Sequence, residues 1–286
     1  MELTMNQSQT NHMISVGKKN GGGAVIRDSF HILTNTLLSL LLPLSFLLLA
    51  RVAAAQYFLS VSNYATQHPT CLLCSLFLNK THTILHLLVS VISASTLAQG
   101  LTGKITFLSH SSLTRHRLYT AWIFLCMLQL CVGLGIEGSI ASGIDGSSFG
   151  QEKGLLCRVV FFFGLHETTL FWWRTVVKPV VDDTVFGVYR EEEGWLVKVV
   201  MGVGFGWLWW WRVREEVEAL ALAADVKREL MMGIGVVDFV GWWLYYTTVT
   251  IGMVGIVKGL IGVLMFLACN CRRRENCKPT PNDEKV

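Results

Sequence analysis

Apolar residues in this chain come in long unbroken runs, without the strict alternation of half-buried strands or the single stripe of a soluble helix. A helix rises 1.5 Å per residue, so roughly 20 apolar residues cross about 30 Å of hydrocarbon. That ruler predicts spans over 30–50, 84–101, 119–140, 155–173, 195–211 and 231–268. The fifth, at seventeen residues, is at the short limit, and the last, at thirty-eight, is too long for one straight crossing. It therefore predicts either one span with a protruding piece or two minimal spans meeting near 248–255. Between the last two runs, 212–230 places Val217, Leu220 and Ala224 on one stripe with charges elsewhere, the pattern of an amphipathic helix lying in water or at the interface.

Punctuation refines these elements. Pro43 is expected to kink the first span, and Arg51 to mark its exit. The second span carries Ser90, Ser93, Ser95, Thr96 and Gln99, which suit a helix enclosed by other helices. Glu137 falls near the far end of the third. In the fourth, Trp172-Trp173-Arg174 reads as an interfacial anchor and stop, and Lys178-Pro179 as a helix break. Gly202-x-x-x-Gly206 and Gly255-x-x-x-Gly259 are the pattern of close helix crossings. The predicted fold is thus all-α: a polytopic transmembrane bundle of about six spans, with seven as the alternative. It occupies 30–268, after a mobile tail over 1–29 and before a basic, Cys-containing tail over 269–286.

Composition agrees. The chain is 52% hydrophobic and only 15% charged, where soluble domains carry about a quarter. Polar residues precede the first run, which is long enough to span, so it reads as retained and not as a cleaved signal. The distribution of bases decides more than the net charge of +4. Six spans with both termini cytoplasmic place fourteen Lys and Arg inside and seven outside, against twelve and nine for seven spans. Six fits the positive-inside rule better, although the bases of 212–230 then lie outside.

The candidate chemistry is sparse. His166-Glu167 lacks the second histidine of a zinc hydrolase, since position 170 is Leu, and neither a nucleophile elbow nor a phosphate-binding loop occurs. Cys71-x-x-Cys74 with His82 and His86 does not have the Cys2His2 spacing of a zinc finger, so no metal, haem or other cofactor and no catalytic residue is assigned. Asn79-Lys80-Thr81 is a formal glycosylation sequon that abuts the second span. What remains is a set of intramembrane ionisable residues: Arg158, His166, Glu167, Lys198, Asp238 and Lys258. Charges there need a partner or water. Axial spacing lets Glu167 meet Lys198 and Arg158 meet Asp238, whereas Asp238 and Lys258, twenty residues apart, cannot pair within one straight helix. After the last span, Cys269, Cys271 and Cys277 are candidates for acylation, and Arg272, Arg273 and Arg274 for contact with anionic lipid.

The stretch HETTLFWWRTVVKPVVDDTVFG, the Trp-rich fifth span and DFVGWWLYYTTVTIGMVGIVKG together resemble plant multi-span membrane proteins of unassigned activity. That resemblance covers roughly the second half of the chain and implies a plant-type membrane protein, with no catalytic residue to carry over. The expected function is non-enzymatic: an integral protein of the plasma membrane or endomembranes, partnered by the bilayer and by proteins or further copies of itself, and not by nucleic acid. The alternative is a small proton- or ion-coupled transporter or channel using His166, Glu167 and Asp238.

Overall fold

The computed structural model describes residues 21–61, 72–103, 115–141, 154–182, 195–209, 213, 216–231 and 233–275, which are helical with short connections and, among the described residues, contain no strand. The helices are α1 (Gly21–Ser39), α2 (Leu41–Val61), α3 (Leu72–Thr102), α4 (Arg115–Ala141), α5 (Leu155–Trp172), α6 (Lys178–Val181), α7 (Trp195–Leu208), α8 (Ala219–Glu229) and α9 (Val236–Glu275). Among the described residues, five stretches are long and apolar enough to cross a membrane: Val25–Phe58, His82–Thr102, Leu118–Ala141, Leu155–Val181 and Val236–Asn270. These correspond to five of the six expected spans. The sixth, α7, has 14 residues and a length of about 21 Å.

α1 and α2 form one rod interrupted only at Leu40. The break follows from Pro43, which has no N–H to return to the Ser39 carbonyl four residues back. The rod does not stop at Arg51. It runs on to Val61 with Arg51 inside the bundle, 3% exposed, because that guanidinium has protein partners instead of water. This rod is the central element: 78% of its most apolar window is buried, against 33% for the second span, which the hydroxyl pattern had placed inside. Ser93, Ser95 and Thr96 do face inward, but Ile84, Leu87, Val91 and Leu101 are exposed apolar positions.

The expected break at Lys178-Pro179 is also absent. Helix α5 passes through a π-helical turn, Trp173–Val177, into α6, with the Lys178 N–H returning to the Trp173 carbonyl five residues back. The widened turn lets the helix run through Pro179 to Val181. Trp172 and Trp173 are core residues, not interfacial anchors, and the Trp172 indole donates to the Leu38 carbonyl at 2.9 Å.

Contacts along the helices fix their directions. Phe46 meets Phe161 edge-on at 6.0 Å while Leu38 meets Trp172, so the α1–α2 rod and α5 are antiparallel. Phe161 stacks on Tyr245 at 4.9 Å, and further along Glu167 lies by Gly255, so α5 and α9 run in the same direction. They touch backbone to backbone. A Cβ on Gly164 would lie 1.8 Å from the Thr248 carbonyl oxygen, and one on Gly252 2.0 Å from that of Val160. Thr168 and Thr248, buried beside this crossing, donate to carbonyls of their own helices at 2.6 and 2.8 Å. Of the expected glycine pairs only Gly255 takes part, a Cβ there lying 3.6 Å from Glu167 Cγ, whereas a Cβ on Gly202, Gly206 or Gly259 meets nothing within 4 Å among the described residues.

The long last run is one uninterrupted helix, α9, of 40 residues and about 60 Å. It is packed over its first half, while from Val257 to Leu267 every residue is exposed. At the other end of the chain, the stretch expected as a mobile tail is helical from Gly21 onward, and residues 1–20 lie outside the described residues.

Candidate functional site

Ionisable residues gather in an ionic tier at one end of the bundle, in a cleft near its middle and in a single pair at the other end. The tier is organised by α8 and the residues just before it. Expected to be hydrated, this segment is among the most enclosed in the molecule, with Val213, Val217, Glu218 and every residue from Ala219 to Ala224 buried. Only its last turn, Arg228 to Leu230, is exposed. The sequence ALALAA explains why. Six consecutive small or apolar positions go more than once round a helix, so no polar face exists to turn outward. The helix packs on α9 and α2, and Gly241 of α9 allows the Leu220 backbone to approach.

Three ion pairs hold it. Arg51 grips Glu216 with Nε to Oε2 at 2.5 Å and Nη2 to Oε1 at 3.0 Å. Its remaining nitrogen donates to Ser139 Oγ at 2.7 Å and to the Ile136 carbonyl at 3.3 Å, which ties in the end of α4. Arg158 of α5 donates from Nε to Glu218 at 2.6 Å. Lys227 donates to both oxygens of Asp238 at 2.8 and 2.9 Å, and the Gly235 N–H caps the same carboxylate at 3.0 Å. The expected Arg158–Asp238 pair therefore does not form. Each member instead takes a partner from the 212–230 segment, whose pattern predicts a helix lying in water or at the interface. Bidentate Arg–carboxylate geometry satisfies several donors at once, the condition under which a desolvated pair is sustained.

A fourth pair lies at the other end. His31 Nε2 stands 2.7 Å from Asp182 Oδ1, joining α1 to the end of α6. Arg158 and Asp182 are twenty-four residues apart on nearly continuous helix, so the two ends are separated by about 36 Å. Glu167 falls between them.

The cleft opens there, among α3, α5 and α9, with a volume of about 400 Å³. Glu167, Arg174 and Lys258 line it together with Thr96, Gln99 and Thr175, on an apolar floor that includes Phe171, Ile251 and Val254. Lys258 donates to the Gly100 carbonyl in the last turn of α3, where the helix presents its negative end. That helix stops at Gly103, whose φ of +68° is the left-handed conformation that favours glycine, and its N–H returns to the Gln99 carbonyl at 2.8 Å. Glu167 makes no hydrogen bond or ion pair with another described residue. His166 does not share the cleft. One position before Glu167, it turns toward α7 and lies against Phe162 and Phe205, at centroid distances of 6.3 and 5.6 Å. The side chain of Lys198, the expected partner of Glu167, lies outside the described residues, as do those of Cys271, Arg272, Arg273, Arg274 and Cys277. Cys269 is exposed.

Among the described residues no group of three or more His, Cys, Asp or Glu side chains could hold a metal ion. The residues missed in the sequence are Arg51, Glu216, Glu218, Lys227, His31 and Asp182. A legible signal existed for the middle three: the all-round apolar ALALAA makes a hydrated helix unsustainable, so the charges flanking it need partners.

Fold and site together define an all-helical protein whose five long apolar helices are compatible with a membrane protein. Comparison with protein-family models, with curated proteins and with solved structures finds no match to this chain. The resemblance to plant multi-span proteins accordingly gains no support from them.

Proposed function

We propose that this chain is a non-enzymatic integral membrane protein that crosses the bilayer six times and acts by presenting a clamped helical bundle to protein partners. What supports six crossings is direction. Because α5 and α9 run the same way, the chain between Asp182 and Val236 has to return to its starting end. Helix α7 makes that return alongside α5, with Phe205 near His166 and Trp209 near Phe162 at 4.5 Å. With both termini cytoplasmic, the ionic tier then lies toward the outer face and the exposed end of α9 toward the inner one.

The observation that carries the scaffold reading is the fate of the charges. Arg158 and Asp238, two of the candidate intramembrane residues, are consumed in interhelical ion pairs, and Arg51, Glu216, Glu218 and Lys227 serve the same clamp. Groups held in bidentate pairs are poor acids, bases or ion ligands. Partners, acylation of Cys269, and anionic lipid at Arg272 to Arg274 belong to the same proposal, on the plasma membrane or an endomembrane. Crosslinking from a photoreactive residue at Leu264 tests it: a discrete protein adduct is expected, and lipid adducts alone would defeat the partner reading.

Transport is the second reading, favoured by one observation: Glu167 faces the cleft near mid-depth without a hydrogen-bonding partner among the described residues. It predicts that Glu167→Gln abolishes a proton- or ion-coupled flux in reconstituted vesicles while the protein still folds. Flux equal in both proteins would defeat it.

A further inference from the structure

Helix α3 carries His82 and His86 one turn apart, so both rings project from the same face. Their centroids are 4.3 Å apart with the ring planes at 76°. His82 Nε2 and both nitrogens of His86 are buried and have no hydrogen-bond partner. Three orphaned ring nitrogens beside one another call for a physical cause, because an unsatisfied buried polar group costs about 1–3 kcal/mol. Two neutral imidazoles in contact do not relieve one another unless a donor meets an acceptor, and no such bond forms here. Each does carry a lone pair suited to a metal ion.

We propose that His82 and His86 form a binding site for one divalent transition-metal ion of the Zn2+, Ni2+ or Cu2+ class. Neutral imidazole is a common ligand for these ions, and a tetrahedral ion at about 2.0–2.1 Å from each nitrogen holds two nitrogens about 3.3 Å apart. The rings, now edge to face at 4.3 Å, have to turn apart to bring one nitrogen of each to that spacing around an ion. In sequence the polar run Asn79-Lys80-Thr81 directly precedes His82, which places the pair near the border of its apolar stretch, within reach of a hydrated ion. With two protein ligands the remaining positions are filled by water that enters as the rings turn apart, which makes the bound ion exchangeable.

The full chain in detergent micelles, carrying Cys71→Ser and Cys74→Ser, is titrated with Co2+ and followed by visible absorption. The expected result is one ion per chain, a spectrum without thiolate charge-transfer bands, and displacement by Zn2+. His82→Asn and His86→Asn should each weaken binding about tenfold or more, because each removes one arm of the chelate. In the metal-free chain, His86→Leu should raise the thermal midpoint, since it deletes two orphaned nitrogens, and it should remove the further rise that Co2+ produces. A measurement on the unsubstituted protein is independent of how the variants fold. Oxidation by Cu2+ and ascorbate, mapped by peptide mass, should concentrate at His82 and His86. Co2+ affinity unchanged in both histidine variants, or oxidation confined to other residues, would overturn the proposal.

Discussion

At the scale of single residues, the clamp turns on Arg51. Removing one member of a desolvated pair leaves the other charged and unpartnered, which typically costs about 3–5 kcal/mol, whereas replacing both by apolar side chains is often neutral or stabilising. Arg51→Met should therefore lower unfolding stability by about that amount, and Arg51→Met with Glu216→Met should recover most of it. Denaturation in mixed micelles reads both, and a double variant no better than the single would remove the pair from the account. Trp172→Phe isolates a smaller effect. It keeps the ring in the core but withdraws the indole donor from the Leu38 carbonyl, so a loss of about 1 kcal/mol is expected by the same measurement.

At the scale of elements, the α5–α9 crossing is the tightest contact. Carbonyl oxygens occupy the space a methyl group would need, so Gly164→Ala and Gly252→Ala should each destabilise by about 1–3 kcal/mol or more. Both force the same pair of helices apart, and their effects should not add. Gly259→Ala, with nothing within 4 Å, is the control and should be neutral in thermal unfolding. This contrast also shows what the sequence could and could not convey. Run length placed five helices because hydrocarbon thickness constrains every crossing alike. Glycine spacing within one helix finds only Gly255 of this contact, because its tightest approach pairs Gly164 with Gly252 on different helices. Pro179 was read as a break because a chain pattern does not reveal that a π-helical turn can absorb the missing N–H.

The 212–230 segment shows the same limit at greater cost. Its Glu and Arg residues invite a hydrated face, and the true partners of Glu216 and Glu218, Arg51 and Arg158, lie 165 and 60 residues away in sequence. No local pattern encodes those separations. In the candidate site, Glu167 was legible as a charge in an apolar run, and so were Arg158, Asp238 and Lys258. Which of them would be neutralised by pairing and which would face a cleft depends on helix rotation, and rotation is decided by all the neighbours at once.

At the scale of the whole molecule, the chain is a bundle clamped at one end, open near its middle, and bare from Val257 to Leu267 of its longest helix. The central claim is that α8 is enclosed at that clamped end while the polypeptide alternates across a bilayer. Single cysteines in a cysteine-free chain, labelled in sealed, oriented membrane vesicles with an impermeant maleimide, test it most directly. Gly103→Cys and Met231→Cys should react from opposite sides, and Ala221→Cys should stay unreactive from either side until the protein is denatured. Labelling of Ala221→Cys in intact vesicles as fast as Met231→Cys, or of Gly103→Cys and Met231→Cys from the same side, would contradict it.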